Sequence, residues 1–184
     1  MLDYVVKMQY NGRMLKRLTN DGFDAVYNIM ERSFPRNEIR SKLGQYALLK
    51  NGEYSLFVRE EEGEIIGFIA VWDLGEIAFV EHFAIAEEWR GKGVGSAMIG
   101  DVFALFDKPI VLEVEPPIDE KTRKRVGFYE RNGLIFHDYY YVQPSMEKGR
   151  EEVELRIMCS EKLDLEGFEK VRAQLYTKIY KVNV

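Results

Sequence analysis

Three alternating glycines stand in the segment Arg90-Gly91-Lys92-Gly93-Val94-Gly95-Ser96, between a strand pattern and a helix pattern. Unpaired N–H groups at a helix N-terminus, together with the helix dipole, favour phosphate, and glycines let that phosphate approach the backbone. The segment therefore predicts an anion site, and the alternative is a flexible surface loop. It is not a P-loop, because Gly93 stands where Ser or Thr would follow the lysine. Nor is it a dinucleotide fingerprint, which would have glycine in place of Ser96.

The glycine turn and three neighbouring segments resemble the GNAT superfamily of acetyl-CoA-dependent N-acetyltransferases. Arg90 to Gly95 matches the family's Arg/Gln-x-x-Gly-x-Gly/Ala signature, and Phe128 to Leu134 resembles its Leu-Tyr-Glu-x-x-Gly-Phe segment. Phe83-Ala84-Ile85 lies where the family's fourth strand pairs with the pantetheine arm, and Leu112-Glu113-Val114 matches the start of its fifth strand. The segments follow in the family's order and spacing over residues 77–136, so the set is far more specific than the short motif alone.

The resemblance implies that acetyl-CoA is the co-substrate and that two stretches of backbone bind it. Phe83, Ala84 and Ile85 would bond the pantetheine like an extra strand, and Arg90 would contribute charge or shape the turn. The pyrophosphate would be held by the N–H groups of the turn, which are those of Gly91, Lys92, Gly93, Val94, Gly95 and Ser96. Many family members carry asparagine seven residues before the helix tyrosine, where this chain has Thr122. Contacts from that helix to acetyl-CoA are therefore not carried over.

Acetyl transfer to an amine requires a base that takes the amine proton and an acid that protonates the departing thiolate. In the family, the tyrosine of the matching helix segment lies near the sulfur of acetyl-CoA and donates a proton or a hydrogen bond to the thiolate. The resemblance gives that role to Tyr129. The alternative for Tyr129 is a core tyrosine on an apolar helix.

Two glutamates are candidates for the base. Alternation along the strand predicts Glu81 on the same face as Phe79, Phe83 and Ile85, where a carboxylate among apolar side chains would have a raised pKa. The alternative for Glu81 is an ion pair with a cation. Glu113 matches a position that serves as base in family members that acetylate protein N-termini, and its alternative is a solvated strand residue.

Hydrophobic periodicity predicts the elements that must position these residues. A short strand is expected over Met14 to Thr19, a first helix that ends at Pro35, and a second helix over Arg36 to Leu49. The later elements are strands over 54–60, 64–72 and 77–85, a helix after the glycine turn, a strand over 110–115, a helix over 120–131, strands over 134–142 and 152–159, and a terminal helix. The order βααβββαβαββα indicates a single α+β domain over residues 1–184. The resemblance implies a mixed, mostly antiparallel central sheet flanked by helices.

Composition excludes several classes of protein. The 184 residues carry 26 Lys and Arg against 31 Asp and Glu, a formal net charge of −5, which argues against a nucleic-acid partner. The basic run Lys121 to Arg125, with four cations in five residues, is interpreted as a solvated helical face, and the alternative is a local basic patch. The most apolar segment, residues 65–72, is too short to span a membrane, and the N-terminus lacks a signal-peptide stretch. The single cysteine, Cys159, is predicted to be buried, and a cytoplasmic location is expected.

A metal site is not expected. The two histidines, His82 and His137, lie 55 residues apart, and no His/Cys cluster has ligand spacing. His82 is predicted on the strand face opposite to Glu81, and His137 is predicted to be structural.

The expected function is direct transfer of an acetyl group from acetyl-CoA to a primary amine of a small molecule or peptide. One alternative is a non-catalytic GNAT-fold module that binds acyl-CoA as a sensor or docking domain, and another is an acyltransferase that prefers a longer acyl chain or a hydroxyl acceptor. The resemblance places the segment Phe34-Pro35-Arg36-Asn37-Glu38 and Tyr46 around the acceptor, with Tyr139-Tyr140-Tyr141 on the other side or half in the core. An acidic protein mildly favours a cationic amine. The terminal helix and the habit of the family are compatible with a homodimer.

Overall fold

The computed structural model describes residues 15–182, which form one sheet and the helices that cover it. The strands are β1 (Lys16–Arg17), β2 (Tyr54–Glu61), β3 (Glu64–Asp73), β4 (Ala78–Ile85), β5 (Ile110–Val114), β6 (Ile135–Gln143) and β7 (Val153–Cys159). The α-helices are α1 (Phe23–Ser33), α2 (Lys42–Ala47), α3 (Val94–Leu105), α4 (Glu120–Arg131) and α5 (Leu165–Gln174). Short 3₁₀ turns precede and follow α2, and a π-helical turn over Leu175–Tyr180 continues α5.

The seven strands lie in the order β1-β2-β3-β4-β5-β7-β6, and every neighbouring pair is antiparallel except β4 and β5. The parallel pair is joined by α3, because parallel strands need a crossover connection. This arrangement confirms the mixed, mostly antiparallel sheet expected from the resemblance.

Both faces of the sheet are covered by apolar layers. Helices α1 and α5 cover one face, which includes Phe79, and helices α3 and α4 cover the other, which includes Val80. Adjacent residues of β4 thus enter opposite layers, as the apolar alternation of this strand predicted. Cys159 is buried and free in the α1/α5 layer, also as predicted.

The parallel pair β4 and β5 separates after three residue pairs. Pairing runs from Ala78 opposite Ile110 to Val80 opposite Leu112, and β4 then continues to Ile85 without a partner on that side. This opening, named here the split, exposes backbone groups of β4 in the middle of an otherwise paired sheet.

A β-bulge lies at the same point of β4. Val80 pairs with Val71 and His82 pairs with Ala70, so Glu81 is the extra residue between them. A bulge reverses the alternation of side chains beyond it. Phe83 therefore packs against the α3/α4 layer, and the predicted sharing of one face by Phe79, Glu81, Phe83 and Ile85 is wrong.

Two of the predicted elements differ in extent. The helix expected over Arg36 to Leu49 is a 3₁₀ turn, the six-residue α2 and a second 3₁₀ turn. The interruption falls at Ile39, which is extended, and Ser41 then starts α2 anew by accepting a hydrogen bond from the Gly44 N–H. The strand expected over Met14 to Thr19 is only β1, and Met14 lies outside the described residues. None of the helices within residues 15–182 is long and apolar enough to cross a bilayer.

Candidate active site

A cleft of about 900 Å³ opens at the split between β4 and β5. Its walls are the unpaired end of β4, the glycine turn before α3, one side of α4, and the chain around the end of α1. The sequence placed thirteen residues at the site, and all of them except Lys92 and Val94 line this cleft. Val94 instead packs in the α3/α4 layer, and the Lys92 ammonium lies over the Trp89 ring at 4.7 Å.

The glycine turn has a backbone that requires glycine at two positions. Gly91 and Gly93 have φ values of +74° and +78°, in the left-handed region that L side chains rarely adopt. Gly93 is the N-cap of α3, and no side chain caps the helix there. The N–H groups of the first turn of α3 are therefore left for a ligand. A Cβ built on Gly91 or Gly93 meets no atom within 4 Å, so the outer side of the turn is open.

The Arg90 side chain stabilises the glycine turn. Its Nε donates a hydrogen bond to the Ile85 carbonyl oxygen at 2.9 Å. This contact links the end of β4 to the turn that follows it. Of the two roles considered for Arg90, the geometry favours shaping the turn.

Three cations of α4 line the cleft: Lys121, Lys124 and Arg125, the last of which is paired with Glu115. The basic run was predicted to be a solvated helical face, and Lys121, Arg123 and Lys124 are indeed exposed. The same run nevertheless borders the cleft on one side. Open N–H groups at the α3 N-terminus and cations on α4 together fit the pyrophosphate and phosphate groups of coenzyme A.

Thr122 has a structural role that explains its departure from the family pattern. The Asp119 side chain accepts a hydrogen bond from the Thr122 N–H at 2.7 Å, and the Thr122 hydroxyl lies 3.1 Å from the Asp119 N–H. The pair forms a capping box at the start of α4. Thr122 is buried and does not line the cleft.

Tyr129 reaches the cleft from α4. Burial raises the pKa of Tyr129 to about 12, so its hydroxyl is protonated at neutral pH. Within residues 15–182 this hydroxyl makes no hydrogen bond. A protonated hydroxyl without a partner among these residues is available as a donor to a ligand in the cleft.

Glu113 lines the cleft from the split end of β5 and is bonded to two tyrosines. The Tyr180 hydroxyl lies 2.9 and 2.8 Å from its two carboxylate oxygens, and the Tyr141 hydroxyl donates to Oε1. Burial raises the pKa of Glu113 to about 7, the two hydroxyls oppose that rise, and the charges of Glu81 and Glu38 add to it. The alternative of a solvated strand residue is therefore wrong.

Glu81 also lines the cleft but is held in an ion pair. Its carboxylate accepts a hydrogen bond from Arg40 Nη1 at 2.7 Å, and neither side chain is more than 9% exposed. Burial alone would raise the pKa of Glu81, but Arg40 and His82 together lower it to about 2. The expected raised pKa is wrong, and the alternative of an ion pair is confirmed.

Both histidine rings contact a backbone carbonyl, and His82 also lines the cleft. His82 lies on the same side of β4 as Glu81, not on the opposite face, because the bulge places both next to α1. Its Nε2 lies 2.7 Å from the Glu38 carbonyl oxygen, and its ring meets Phe34 edge to face. His137 is buried, with Nε2 3.3 Å from the Glu161 carbonyl oxygen. Over the described residues, no cluster of His, Cys, Asp or Glu side chains has the arrangement of a metal site.

The predicted acceptor segment is only partly at the cleft. Phe34 and Glu38 line it, whereas Tyr46 packs edge-on against Phe23 in the α1/α5 layer. Tyr141 is buried and Tyr140 is 68% exposed, so the tyrosine run alternates between core and solvent. The segment after α1 is tied to the β6–β7 connection, because the Ser41 N–H and hydroxyl both donate to the Glu147 carboxylate at 2.9 Å.

Three residues that sequence reasoning missed are Arg40, Tyr141 and Tyr180 in their roles at the two glutamates. Arg40 stands in a segment predicted to be one polar helix, and its partner is 41 positions away. Tyr180 is 67 positions from Glu113. The sequence showed an arginine in a polar stretch and two tyrosines on apolar elements. Neither residue type indicates which side chain is its partner.

A sheet that splits beside a glycine turn at a helix N-terminus, with a tyrosine and a carboxylate in the same cleft, defines the class of GNAT-type acyltransferases. The chain belongs to the acetyltransferase (GNAT) family, whose model matches residues 23–134. That range holds the split, the glycine turn, Glu81, Glu113 and Tyr129. Tyr141 and Tyr180 lie beyond it.

Three proteins show the breadth of this similarity. A protein of Bacillus subtilis (strain 168), provisionally named a ribosomal protein bS18-alanine N-acetyltransferase, is 22% identical over 130 residues, which are 68% of this chain and 85% of that protein. A solved structure from Bacteroides thetaiotaomicron, provisionally described as an acetyltransferase of the GNAT family, has a TM-score of 0.84 at 29% identity, covering 92% of this chain and 99% of that one. A spermidine N-acetyltransferase chimera of the Vibrio cholerae enzyme and hSSAT shares the fold, with a TM-score of 0.61 at 19% identity over 80% of this chain and 93% of that one.

Proposed function

We propose that this chain acts as a single N-acetyltransferase domain that moves an acetyl group from acetyl-CoA to a primary amine by direct transfer. The observation that carries the proposal is that the glycine turn, Glu113 and Tyr129 line one cleft. Acetyl-CoA, when bound, supplies the acetyl group as a thioester. The residues of the chain bind it, orient it and move two protons.

Backbone groups on both sides of the split would bind the donor. The N–H groups at the start of α3 would hold the pyrophosphate, with Lys121 and Lys124 nearby on α4. Among the described residues, β4 has no strand partner on the β5 side beyond Val80, so Phe83 and Ala84 run unpaired along the cleft, whereas the Ile85 carbonyl oxygen accepts a hydrogen bond from Arg90. These groups would hydrogen-bond the pantetheine amides as a neighbouring strand would.

The acid and the base follow from the protonation states of the cleft residues. Glu113 would accept the proton that the attacking amine loses, because a carboxylate with a pKa of about 7 is suited to take up a proton near neutral pH. Tyr129 would donate a proton to the sulfur atom as the C–S bond breaks. Glu81 is unsuited to the role of base, because its ion pair with Arg40 keeps its pKa near 2.

The position of the single thiol supports direct transfer. Cys159 is buried in the α1/α5 layer and does not line the cleft, and burial raises its pKa. A covalent acetyl-enzyme would need a reactive thiolate facing the donor. A buried free thiol also fits the expected cytoplasmic location.

The acceptor is proposed to be a primary amine of a small molecule or a peptide. The relatives act, by their names, on spermidine and on an alanine of a ribosomal protein. Glu38 and Glu113 on the acceptor side of the cleft favour an amine that carries positive charge in solution. Spermidine and a short peptide with N-terminal alanine are therefore the first acceptors to test.

The proposal is tested first by thermal unfolding with acetyl-CoA and then by release of free CoA in the presence of amines. A ligand at about 100 times its Kd stabilises by about 2.7 kcal/mol, or roughly 5–10 °C in Tm for a domain of this size. Tyr129→Phe and Glu113→Gln should lower turnover by about 10²–10⁴ and keep the acetyl-CoA shift.

The matched control is Tyr140→Phe, which removes a hydroxyl from an exposed tyrosine and should leave turnover unchanged. No shift with acetyl-CoA, in a protein that unfolds cooperatively, would overturn the proposal. A shift without CoA release from any amine would support the non-catalytic alternative.

A further inference from the structure

The carboxylate of Glu113 is hydrogen-bonded to hydroxyls from two distant parts of the chain. Tyr180 belongs to the π-helical turn after α5 and lies within hydrogen-bond distance of both carboxylate oxygens, at 2.9 and 2.8 Å. Tyr141 belongs to β6 and donates to Oε1. Both tyrosines are at least nine-tenths buried, and they lie behind the cleft wall that Glu113 itself lines.

The π-helical turn brings Tyr180 to this position. Within the turn, the Tyr176 hydroxyl donates to the Val142 carbonyl oxygen at 2.5 Å, which ties the turn to β6. The rings of Tyr176 and Tyr180 are nearly perpendicular, at 87°, with centroids 6.5 Å apart. One tyrosine of the turn therefore contacts β6 and the other reaches Glu113 on β5. Single π-helical turns occur frequently at functional sites.

We propose that Tyr141 and Tyr180 are positioning residues for Glu113, whose carboxylate their hydroxyls hold in one orientation at the cleft. This inference rests on the proposed role of Glu113 as the base. A carboxylate that accepts hydrogen bonds on both oxygens cannot rotate freely, so it meets the amine proton in a defined geometry. The same two hydroxyls stabilise the charged form that the base must have before reaction.

The other titratable groups around Glu113 leave this task to the hydroxyls. Glu81 on β4 and Glu38 in the 3₁₀ turn after α1 are negative and oppose the charge of Glu113, and Tyr176 is neutral. The nearby cation Arg40 is paired with Glu81. No ion pair reaches Glu113 from any of the residues 15–182, so the hydroxyls are its only stabilising partners there.

The test is the pH dependence of kcat/KM for Tyr180→Phe. A base acts only when deprotonated, so activity is lost as the pH falls through the pKa of Glu113. Removing a donor to the charged form raises that pKa, and the acid limb of the profile should move to higher pH by about one unit. Activity at pH 7 should then fall about fivefold and recover above pH 9. Tyr141→Phe should move the limb in the same direction.

Tyr140→Phe is the control, because it removes a hydroxyl from an exposed tyrosine of β6, next to Tyr141, that makes no hydrogen bond to Glu113. It should leave the acid limb where it is in the unmodified protein. A purely structural role of Tyr180 would lower activity equally at every pH, and that result would overturn the inference. If Tyr180→Phe does not fold, the outcome for Tyr141→Phe decides the question.

A second readout separates this inference from the proposed function. Difference infrared spectroscopy follows the C=O band of the protonated Glu113 carboxyl, identified by its absence in Glu113→Gln, with neither donor nor acceptor present. The titration midpoint should be higher in Tyr180→Phe than in the unmodified protein. An unchanged midpoint would contradict the positioning role, whereas a raised midpoint together with full turnover by Glu113→Gln would contradict only the role of Glu113 as base.

Discussion

Two glutamates on neighbouring strands face one cleft, yet their partners give them opposite protonation behaviour. Glu81 has a cation, Arg40, at 2.7 Å, whereas the hydrogen-bond partners of Glu113 within residues 15–182 are hydroxyls. A full opposite charge outweighs the loss of hydration at Glu81, and two neutral donors do not outweigh it at Glu113. The sequence predicted that both residues face the site, because strand alternation and the resemblance are local. It could not predict which one is paired, because the bulge in β4 and the partners 41 and 67 positions away leave no local pattern.

Glu81→Gln should reduce the free energy of unfolding by about 3–5 kcal/mol, because it leaves the buried Arg40 charge without its partner. Glu60→Gln is the control, since it breaks an exposed pair with Lys16 and should change stability by less than about 1 kcal/mol. The pKa of Glu81 is lowered from 4.5 to about 2, so its contribution is present above pH 4.5 and is lost as the pH falls toward 2. Denaturant unfolding at pH 7 and pH 3 should show the difference between Glu81→Gln and the unmodified protein shrinking at the lower pH. Equal stability of the two proteins at pH 7 would contradict the ion-pair assignment.

Among the elements, strong apolar periodicity decided what could be predicted. Helices α1, α3, α4 and α5 and the long strands follow their patterns closely. The region 36–50 does not, because an extended Ile39 and a fresh helix cap at Ser41 interrupt a polar stretch without a diagnostic residue. The π-helical turn was equally invisible, since Leu175 and Ile179 continue the apolar stripe of α5 whether the backbone is α or π. The glycine turn was the clearest prediction, because positive φ at Gly91 and Gly93 leaves few other residue types acceptable.

Gly93→Ala should weaken acetyl-CoA binding more than it weakens the fold. Alanine is strained at φ +78°, and its Cβ would occupy the open side of the turn where the phosphate is expected. Gly75→Ala is matched to it: φ is +89°, the space is equally open, and the residue lies in the β3–β4 turn away from the cleft. Both variants should lose about 1–2 kcal/mol of stability, and only Gly93→Ala should lose the rise in Tm with acetyl-CoA. An equal acetyl-CoA shift in the two variants would show that the turn does not bind the donor.

At the scale of the whole molecule, the cations of α4 at the cleft contrast with the negative net charge of the protein. The chain carries a net charge of −5, yet α4 places Lys121, Lys124 and Arg125 on the cleft wall, where Arg125 is paired with Glu115. In the proposed reaction, Lys121 and Lys124 would attract the anionic donor to this side of an acidic protein. The order of elements and the α+β class were predictable, because each element has its own pattern. The insertion of β7 between β5 and β6 was not, since strand periodicity carries no information about which strands are neighbours.

Lys124→Ala should raise the Kd for acetyl-CoA about two- to fivefold at low ionic strength, with a smaller effect at high salt because exposed charges are screened. Lys170→Ala is a close control, since both lysines are exposed and each pairs with a glutamate four residues earlier, at 2.6 Å for Lys124 and 2.7 Å for Lys170. Lys170 lies on α5, outside the cleft. Calorimetric titration at two salt concentrations measures both values. An equal change in Kd for the two variants would show that Lys124 of α4 does not contribute to acetyl-CoA binding.

The split between β4 and β5 also sets a limit on how far this fold can be strengthened. Within residues 15–182, only three residue pairs join strands β1–β4 to strands β5–β7. A donor bound in the split would supply backbone hydrogen bonds that the sheet lacks at this point. Substitutions that straighten β4 at Glu81 would extend the pairing between β4 and β5. They would close the split and leave no space for the donor. Selection for thermal stability and selection for turnover therefore have opposite effects at the split. Thermostable variants are expected to carry their stabilising substitutions in the two helical layers.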